Sequence, residues 1–231
     1  MAAAQDKSET ISISQRVNEF IQKNRKVLFI GLVSVVALLV ALIVIFTVRE
    51  KVQAGNLSQV DALNRRYEAL KPHVSGEGEE AVSKQPEIDA LLSDLAAFQS
   101  KKSGFAAARA YGISASIYEG RKEWAEAEKT WISAAKAAGK NYFVPVSFFN
   151  AAVAAEEQGN TEAAIIHYGQ ALAHEKIFPA AARAQFSIGR LQESLGSGEA
   201  ALDTYRTLIN KWPSDPLWTN LAQSRIVVLS D

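Results

Sequence analysis

Side chains that could do chemistry are sparse in this sequence, and histidine offers the clearest candidates. His167 and His174 stand seven residues apart, a spacing that puts both on one side of a helix. A metal site needs about three or four ligands, and no Asp or Glu lies between these two. The chain has no cysteine, which excludes thiol catalysis, disulfides and iron–sulfur clusters. We therefore expect no metal site, no cofactor and no catalytic residue.

Other common chemistries find equally little support. The sequence has no glycine-rich phosphate loop and neither a GxSxG nor an HExxH motif. Its 25 basic residues balance its 25 acidic residues, and its aromatic residues do not interleave with a basic stripe, which argues against nucleic-acid binding. Glu77, Glu79 and Glu80 lack the ligand spacing of a calcium loop, so we interpret them as solvated. The chain is predicted not to be an enzyme.

One element dominates the N-terminal part of the chain. Residues 27–48 form a run of 22 residues without a charge. As a helix this run would be about 33 Å long, which matches a bilayer hydrocarbon core of about 30 Å. A cleaved signal peptide has a shorter apolar region, of about 7–15 residues. The run therefore predicts an uncleaved transmembrane anchor.

The charges beside this anchor predict its orientation. Lys23, Arg25 and Lys26 precede it closely, whereas Arg49 and Lys51 follow it. The bias favours a cytoplasmic N-terminus and an extracytoplasmic C-terminal domain. Residues 1–26 are expected to form a polar tail, disordered or lying at the membrane interface.

A juxtamembrane helix is predicted over residues 49–71. Val60, Leu63, Tyr67 and Leu70 are spaced three, four and three apart, which places them on one stripe. The stripe either packs on the following domain or mediates self-association through residues 53–71. Residues 72–86 contain two prolines and two glycines and are predicted to be a linker, after which a helix is expected from residue 87.

The rest of the chain repeats itself. Three segments each carry a small residue, an aromatic four positions later and an Ala or Leu three positions after that. The spacing puts each triad on one face of one helix, where it can pack against a partner helix. Corresponding members recur with a period of 37 residues, and they are Ala127, Trp131, Ala134; Ala164, Tyr168, Ala171; and Ala201, Tyr205, Leu208.

These segments resemble tetratricopeptide repeats (TPR), which are helix hairpins of about 34 residues. Ala115, Ala152 and Gly189 match the small residue expected in each first helix, and three extra residues per unit depart from the family length. The resemblance implies an all-α fold in which a transmembrane helix precedes an α-solenoid of TPR hairpins. The TPR domain is predicted over 87–231, with repeats at about 108–141, 145–178 and 182–215 and a capping helix at 216–229.

The resemblance also implies a concave face lined by the first helix of each hairpin. The sequence there lacks the Lys and Asn set with which chaperone-docking TPR domains clamp a C-terminal carboxylate, so an apolar peptide or a helix is the expected ligand. The candidate peptide groove contains Arg109, Glu119, Val146, Phe149, Val153, Arg183, Phe186 and Arg190.

Two functions remain open from the sequence. The first is a membrane-tethered protein-interaction scaffold. A single anchor followed by TPR hairpins resembles in architecture the ancillary subunit of the bacterial Sec translocon, which implies an inner-membrane location, translocon or envelope-chaperone partners and a role in translocation, folding or envelope assembly. The second is a self-associating structural or assembly protein with the TPR domain as a spacer.

Overall fold

The computed structural model describes residues 13–230, and it is entirely helical over that range apart from turns and loops. The chain divides into two units, Met1–Ala54 and Gly55–Asp231. Helix α1, Ile13–Leu70, begins in the first unit and ends in the second. The expected all-α architecture is confirmed.

The first unit consists, where it is described, of the N-terminal part of α1. Every large apolar side chain from Val27 to Val48 is between 42% and 69% exposed. The most apolar window of this helix has a mean hydropathy of 3.3, and none of it is buried. By length and composition α1 is a candidate membrane span.

Residues 13–26 are helical, which corrects the first of the two expectations for that part of the N-terminal segment, disorder; its alternative, a position at the membrane interface, stays a prediction. Val17, Phe20 and Ile21 have helical spacing, and adding turns to an existing helix costs much less than nucleating a new one. Residues 1–12 of the predicted tail lie outside the described residues.

The second unit is a series of helices that pack on their neighbours in sequence, with α3/α4, α5/α6 and α7/α8 as hairpins. The end of α1 is followed by a short 3-10 turn, Lys71–His73, and another, Glu175–Ile177, follows α6. The remaining helices are α2 Glu79–Lys101, α3 Gly104–Gly120, α4 Trp124–Ala137, α5 Phe143–Glu157, α6 Thr161–Leu172, α7 Ala181–Ser194, α8 Gly198–Lys211 and α9 Pro216–Ser230.

The triads with the period of 37 residues form the interior of these hairpins. All nine side chains are at most 5% exposed. In α3 and α7 the small residues let the rings approach closely. A Cβ atom on Gly189 would lie 2.6 Å from Cε1 of Tyr205. The repeat pattern in the sequence is therefore a packing pattern between paired helices.

The turn inside each hairpin is also repeated. Lys122, Gly159 and Gly196 follow the first helices of the three hairpins and are 37 residues apart. All three have positive φ, at 60°, 74° and 73°. This left-handed conformation ends the helix and suits glycine best, so Lys122 is the unfavourable residue of the three.

The C-terminal end of α1 packs with α2 and α3 in an apolar cluster, which precedes the three hairpins in the chain. Val60, Tyr67 and Leu70 of α1 are buried with Ile88 and Leu91 of α2, and side chains of α3 complete the cluster. The stripe of Val60, Leu63, Tyr67 and Leu70 therefore packs against the following helices of the same chain, which was the first of its two predicted roles.

The predicted linker, residues 72–86, is wrong in its second half, because α2 begins at Glu79 and contains Pro86. Proline inside a helix removes one backbone hydrogen bond, and residues just before Pro86 make interactions outside the helix. Ala81 is buried. The Gln85 side chain donates to the carbonyl of His73 and accepts from Arg121.

Candidate interaction face

The first helices α3, α5 and α7 carry the predicted groove residues, and we call the surface they form the first-helix face. Arg183 and Arg190 are exposed, and Phe149 is buried, at 8% exposure. The other five are half-buried; they are Arg109, Glu119, Val146, Val153 and Phe186.

Two aromatic residues predicted for the groove serve mainly as packing. The ring of Phe149 lies 5.2 Å from that of Tyr168 and 5.8 Å from that of Phe178. The Arg183 guanidinium covers it, 4.9 Å from the ring centroid. Phe186 lies 5.4 Å from the rings of both Tyr205 and Trp218. These rings therefore pack in the interior beneath the first-helix face. A ligand at Phe149 would contact the Arg183 guanidinium that covers the ring.

A carboxylate–aromatic hydrogen bond joins the two helices of each hairpin. Trp131 donates its indole N–H to Oε1 of Glu119 at 2.7 Å. The Tyr168 hydroxyl donates to Oε1 of Glu156 at 2.6 Å. The Tyr205 hydroxyl donates in the same way to Glu193. Each acceptor comes from a first helix, so all three carboxylates border the first-helix face.

Two of these carboxylates also bind an arginine that lies two helices further along the chain. Arg190 of α7 donates to Glu156 of α5. Arg225 of α9 donates to Glu193 of α7 through two nitrogens, with Nε 3.1 Å from Oε1. Such charge-assisted hydrogen bonds favour the ionised acid, and the bonds from Arg225 lower the pKa of Glu193.

No arginine takes this place at Glu119 in the part of the chain that the structure describes. Val153 of α5 occupies the position that corresponds, one repeat period earlier, to Arg190. Among the described residues, no lysine, arginine or histidine forms an ion pair with Glu119, which carries only the Trp131 hydrogen bond. Burial raises its pKa, because a charged carboxylate loses hydration without gaining a cation.

The end of α1 lies against α3 at this end of the face. Asp61 accepts from Arg109 at 2.6 Å, and Tyr67 of α1 and Ser116 of α3 line the same cavity. A cavity of about 280 Å³ opens here. Its lining includes Asn64, Tyr67, Glu68, Lys71, Arg109, Gly112, Ile113, Ser116, Trp131 and Phe143.

The two histidines have separate surroundings. The ring nitrogens of His167 are each 2.9 Å from a side-chain oxygen, Oε1 of Gln170 and Oε1 of Glu128. His174 lines a different cavity of about 510 Å³ beside Lys211. Among the described residues no group of three His, Asp or Glu side chains is placed to hold a metal ion.

The three carboxylates could have been recognised from the sequence as a set. Glu119, Glu156 and Glu193 share the period of 37 residues, and each precedes an aromatic triad member by 12 residues. The TPR resemblance places all three at the same repeat position of the expected concave face, although the eight candidate groove residues include only Glu119. The arginine partners were harder to find, because Arg225 lies in the final helix, outside the repeat period.

Comparison with known proteins identifies the family. A tetratricopeptide repeat family model matches residues 149–216. A TPR repeat-containing protein of Treponema pallidum (strain Nichols) is 33% identical over 225 residues, covering 93% of this chain and 93% of that protein. The chain belongs to the tetratricopeptide repeat family.

Solved structures show the same fold. Two structures of nearly identical TPR-like repeats, from a Podosopora anserina protein described as a kinesin light chain, superpose with TM-scores of 0.55 and 0.54. Sequence identity is 16% in both comparisons; they cover 74% of this chain and 85% and 86% of those chains. At this identity the likeness concerns the fold alone. The TPR solenoid is the class of domain that functions by binding other proteins.

Proposed function

We propose that this protein is a membrane-tethered scaffold that binds a segment of another protein along the first-helix face. The observation that carries the proposal is the composition of that face. Val146 and Val153 are half-buried on it, and exposed Arg183 and Arg190 stand beside them. Apolar contact area bordered by charges suits an extended peptide or an amphipathic helix.

Tethering is proposed from α1. Its apolar stretch is long enough to cross a bilayer and is not buried by the rest of the chain. The basic residues at its N-terminal flank favour a cytoplasmic N-terminus, which would put the second unit on the extracytoplasmic side of an inner membrane. A reporter that is active only outside the cytoplasm, fused after the last residue, should be active; a silent fusion would reverse this topology.

The cellular role we propose is assistance to protein translocation, folding or envelope assembly. Support comes from the architecture, a single anchor followed by TPR hairpins, which resembles the ancillary subunit of the Sec translocon. Partners would then be translocon subunits or envelope chaperones.

Site-specific photo-crosslinking in native membranes tests the face directly. A photoreactive residue replaces Arg183 on α7, and in a matched control it replaces Ile166 on α6, which is 59% exposed. We expect a crosslinked partner from position 183 and little or none from position 166. Equal crosslinking at both positions, or crosslinking at position 166 alone, would exclude the first-helix face as the binding surface.

A further inference from the structure

The three carboxylate–aromatic pairs form a series in which one member is incomplete. Glu156 of α5 binds Arg190 of α7 and Glu193 of α7 binds Arg225 of α9, whereas no arginine of the described residues binds Glu119. The three hairpins have the same construction. The arginines bound to Glu156 and Glu193 therefore show where a cation would bind at Glu119. The carboxylate is already oriented by Trp131, so its position does not depend on a ligand.

We infer that Glu119 is a recognition site for one cationic side chain, arginine or lysine, of the protein segment bound on the first-helix face. This inference rests on the proposed function. The ligand's cation would take the place that Arg190 takes at Glu156. Arg190 is 51% exposed while it binds there, so the corresponding position at Glu119 is reachable from solvent.

The charges around Glu119 leave it available. Arg109 is bound to Asp61 at 2.6 Å. The Lys71 ammonium lies over the Tyr67 ring, 6.0 Å from its centroid. Glu68 and Lys71 both line the neighbouring cavity and their charges offset each other, so the Glu119 carboxylate is the charge that attracts a cation.

Space for the stem of such a side chain is present beside Trp131. The cavity of about 280 Å³ is lined by Trp131, the residue that donates to Glu119. Val153 is a short apolar residue and contributes no positive charge. The stem of a long basic side chain could pack on these apolar groups while its charged end binds Glu119.

The test uses a displayed library of random peptides, selected against the full chain in lipid nanodiscs. Two variants remove the site in different ways. Glu119→Gln keeps an oxygen that accepts from Trp131 but removes the charge. Val153→Arg supplies within the chain the arginine that the series lacks. Ile166→Arg adds the same charge to an exposed position of α6 and is the matched control.

If the inference is right, selected peptides share an arginine or lysine and bind Ile166→Arg normally. Loss of a charge-assisted hydrogen bond should weaken their binding about tenfold or more in Glu119→Gln. Val153→Arg should do the same while leaving the thermal midpoint unchanged or higher. If it unfolds instead, Glu119→Gln, with a midpoint like that of the parent chain, decides the outcome.

Two results would overturn the inference, and they differ in their meaning. Peptides that crosslink to position 183 yet bind Glu119→Gln and Val153→Arg as well as the parent chain would refute the cation site and leave the proposed function standing. A library that yields no peptide bound at the first-helix face would refute the proposed function, and this inference with it.

Discussion

At the scale of single residues, Glu119 and Glu193 occupy equivalent positions of the repeat but have different electrostatic surroundings. Glu193 is bound by Arg225, which lowers its pKa, whereas burial without a cation raises that of Glu119. The same side chain on the same helix position therefore stabilises the fold in one hairpin and opposes it in another. The difference lies two helices further along the chain, where α9 provides Arg225 for Glu193 and α5 has Val153 near Glu119.

These opposite shifts predict opposite pH dependences. A lowered pKa means that Glu193 adds stability above the usual value of 4.5, and that this stability is lost as the pH falls through the folded-state pKa. Glu193→Gln should thus destabilise the chain near neutral pH and much less in acid. A raised pKa means that Glu119 adds stability below 4.5, which is lost as the pH rises through its folded-state pKa.

Glu119→Gln should therefore be neutral or slightly stabilising near neutral pH. The measurement is the free energy of unfolding by denaturant for both variants and the parent chain, at about pH 7 and about pH 4. Equal losses of stability for the two variants at neutral pH would contradict the difference in their surroundings.

A second residue-scale prediction concerns Gly189. A Cβ atom there would lie 2.6, 2.8 and 3.0 Å from three ring atoms of Tyr205, whose side chain is fully buried and cannot move aside. Gly189→Ala should cost about 1–3 kcal/mol of stability through overpacking.

Gly169 provides the matched control for this substitution. It lies in α6 with nothing within 4 Å of an added Cβ atom, so Gly169→Ala should stabilise the helix by about 0.5–1 kcal/mol. Thermal unfolding of both variants measures the contrast. A tolerated Gly189→Ala would mean that Tyr205 is packed less closely than described.

At the scale of elements, the turn between α3 and α4 departs from its two counterparts. Lys122 has a φ of 60° where the other hairpins have Gly159 and Gly196. A side chain is strained in this conformation, so Lys122→Gly should stabilise the chain by about 0.5–1 kcal/mol. Lys136→Gly, within α4, should have the opposite sign and cost about 1 kcal/mol. Thermal midpoints of the two variants test this, and a loss of stability in Lys122→Gly would contradict it.

Helix boundaries show where sequence reasoning succeeded and where it failed. The period of 37 residues predicted the hairpins from α3 to α8, because a packing constraint repeated three times is visible in residue types alone. The start of α2 was missed, since Gly76, Gly78 and Pro86 all favour a break locally. The burial of Ala81 and the hydrogen bonds of Gln85 to His73 and Arg121 have no signature in the local sequence. The pairing of Arg190 with Glu156 and of Arg225 with Glu193 was missed for the same reason.

At the scale of the whole molecule, the chain combines an apolar helix with a nearly neutral repeat domain. If the apolar stretch anchors the protein, charges at its centre should release it. Two arginines, Val36→Arg and Leu39→Arg, would each cost about 2.5–3.5 kcal/mol in a bilayer. We expect the double variant in the soluble fraction after membrane preparation.

The control for this prediction is the pair Val36→Ala and Leu39→Ala, which shortens the side chains without adding charge and should stay with the membranes. Circular dichroism should show the charged variant still helical, because the substituted positions are half exposed or more. A charged variant that remains fully in the membrane fraction would mean that α1 is not what holds the protein there.

The repeated carboxylates also give the solenoid a direction. Glu156 and Glu193 each bind an arginine that comes later in the chain, as Glu156 does with Arg190, 34 residues further along. A duplication of one whole 37-residue unit would keep the paired helices in register at the new junction, whereas an insertion of another length inside a helix would rotate the partners out of register. We therefore expect relatives of this protein that have more or fewer repeats to differ from it in length by multiples of 37 residues.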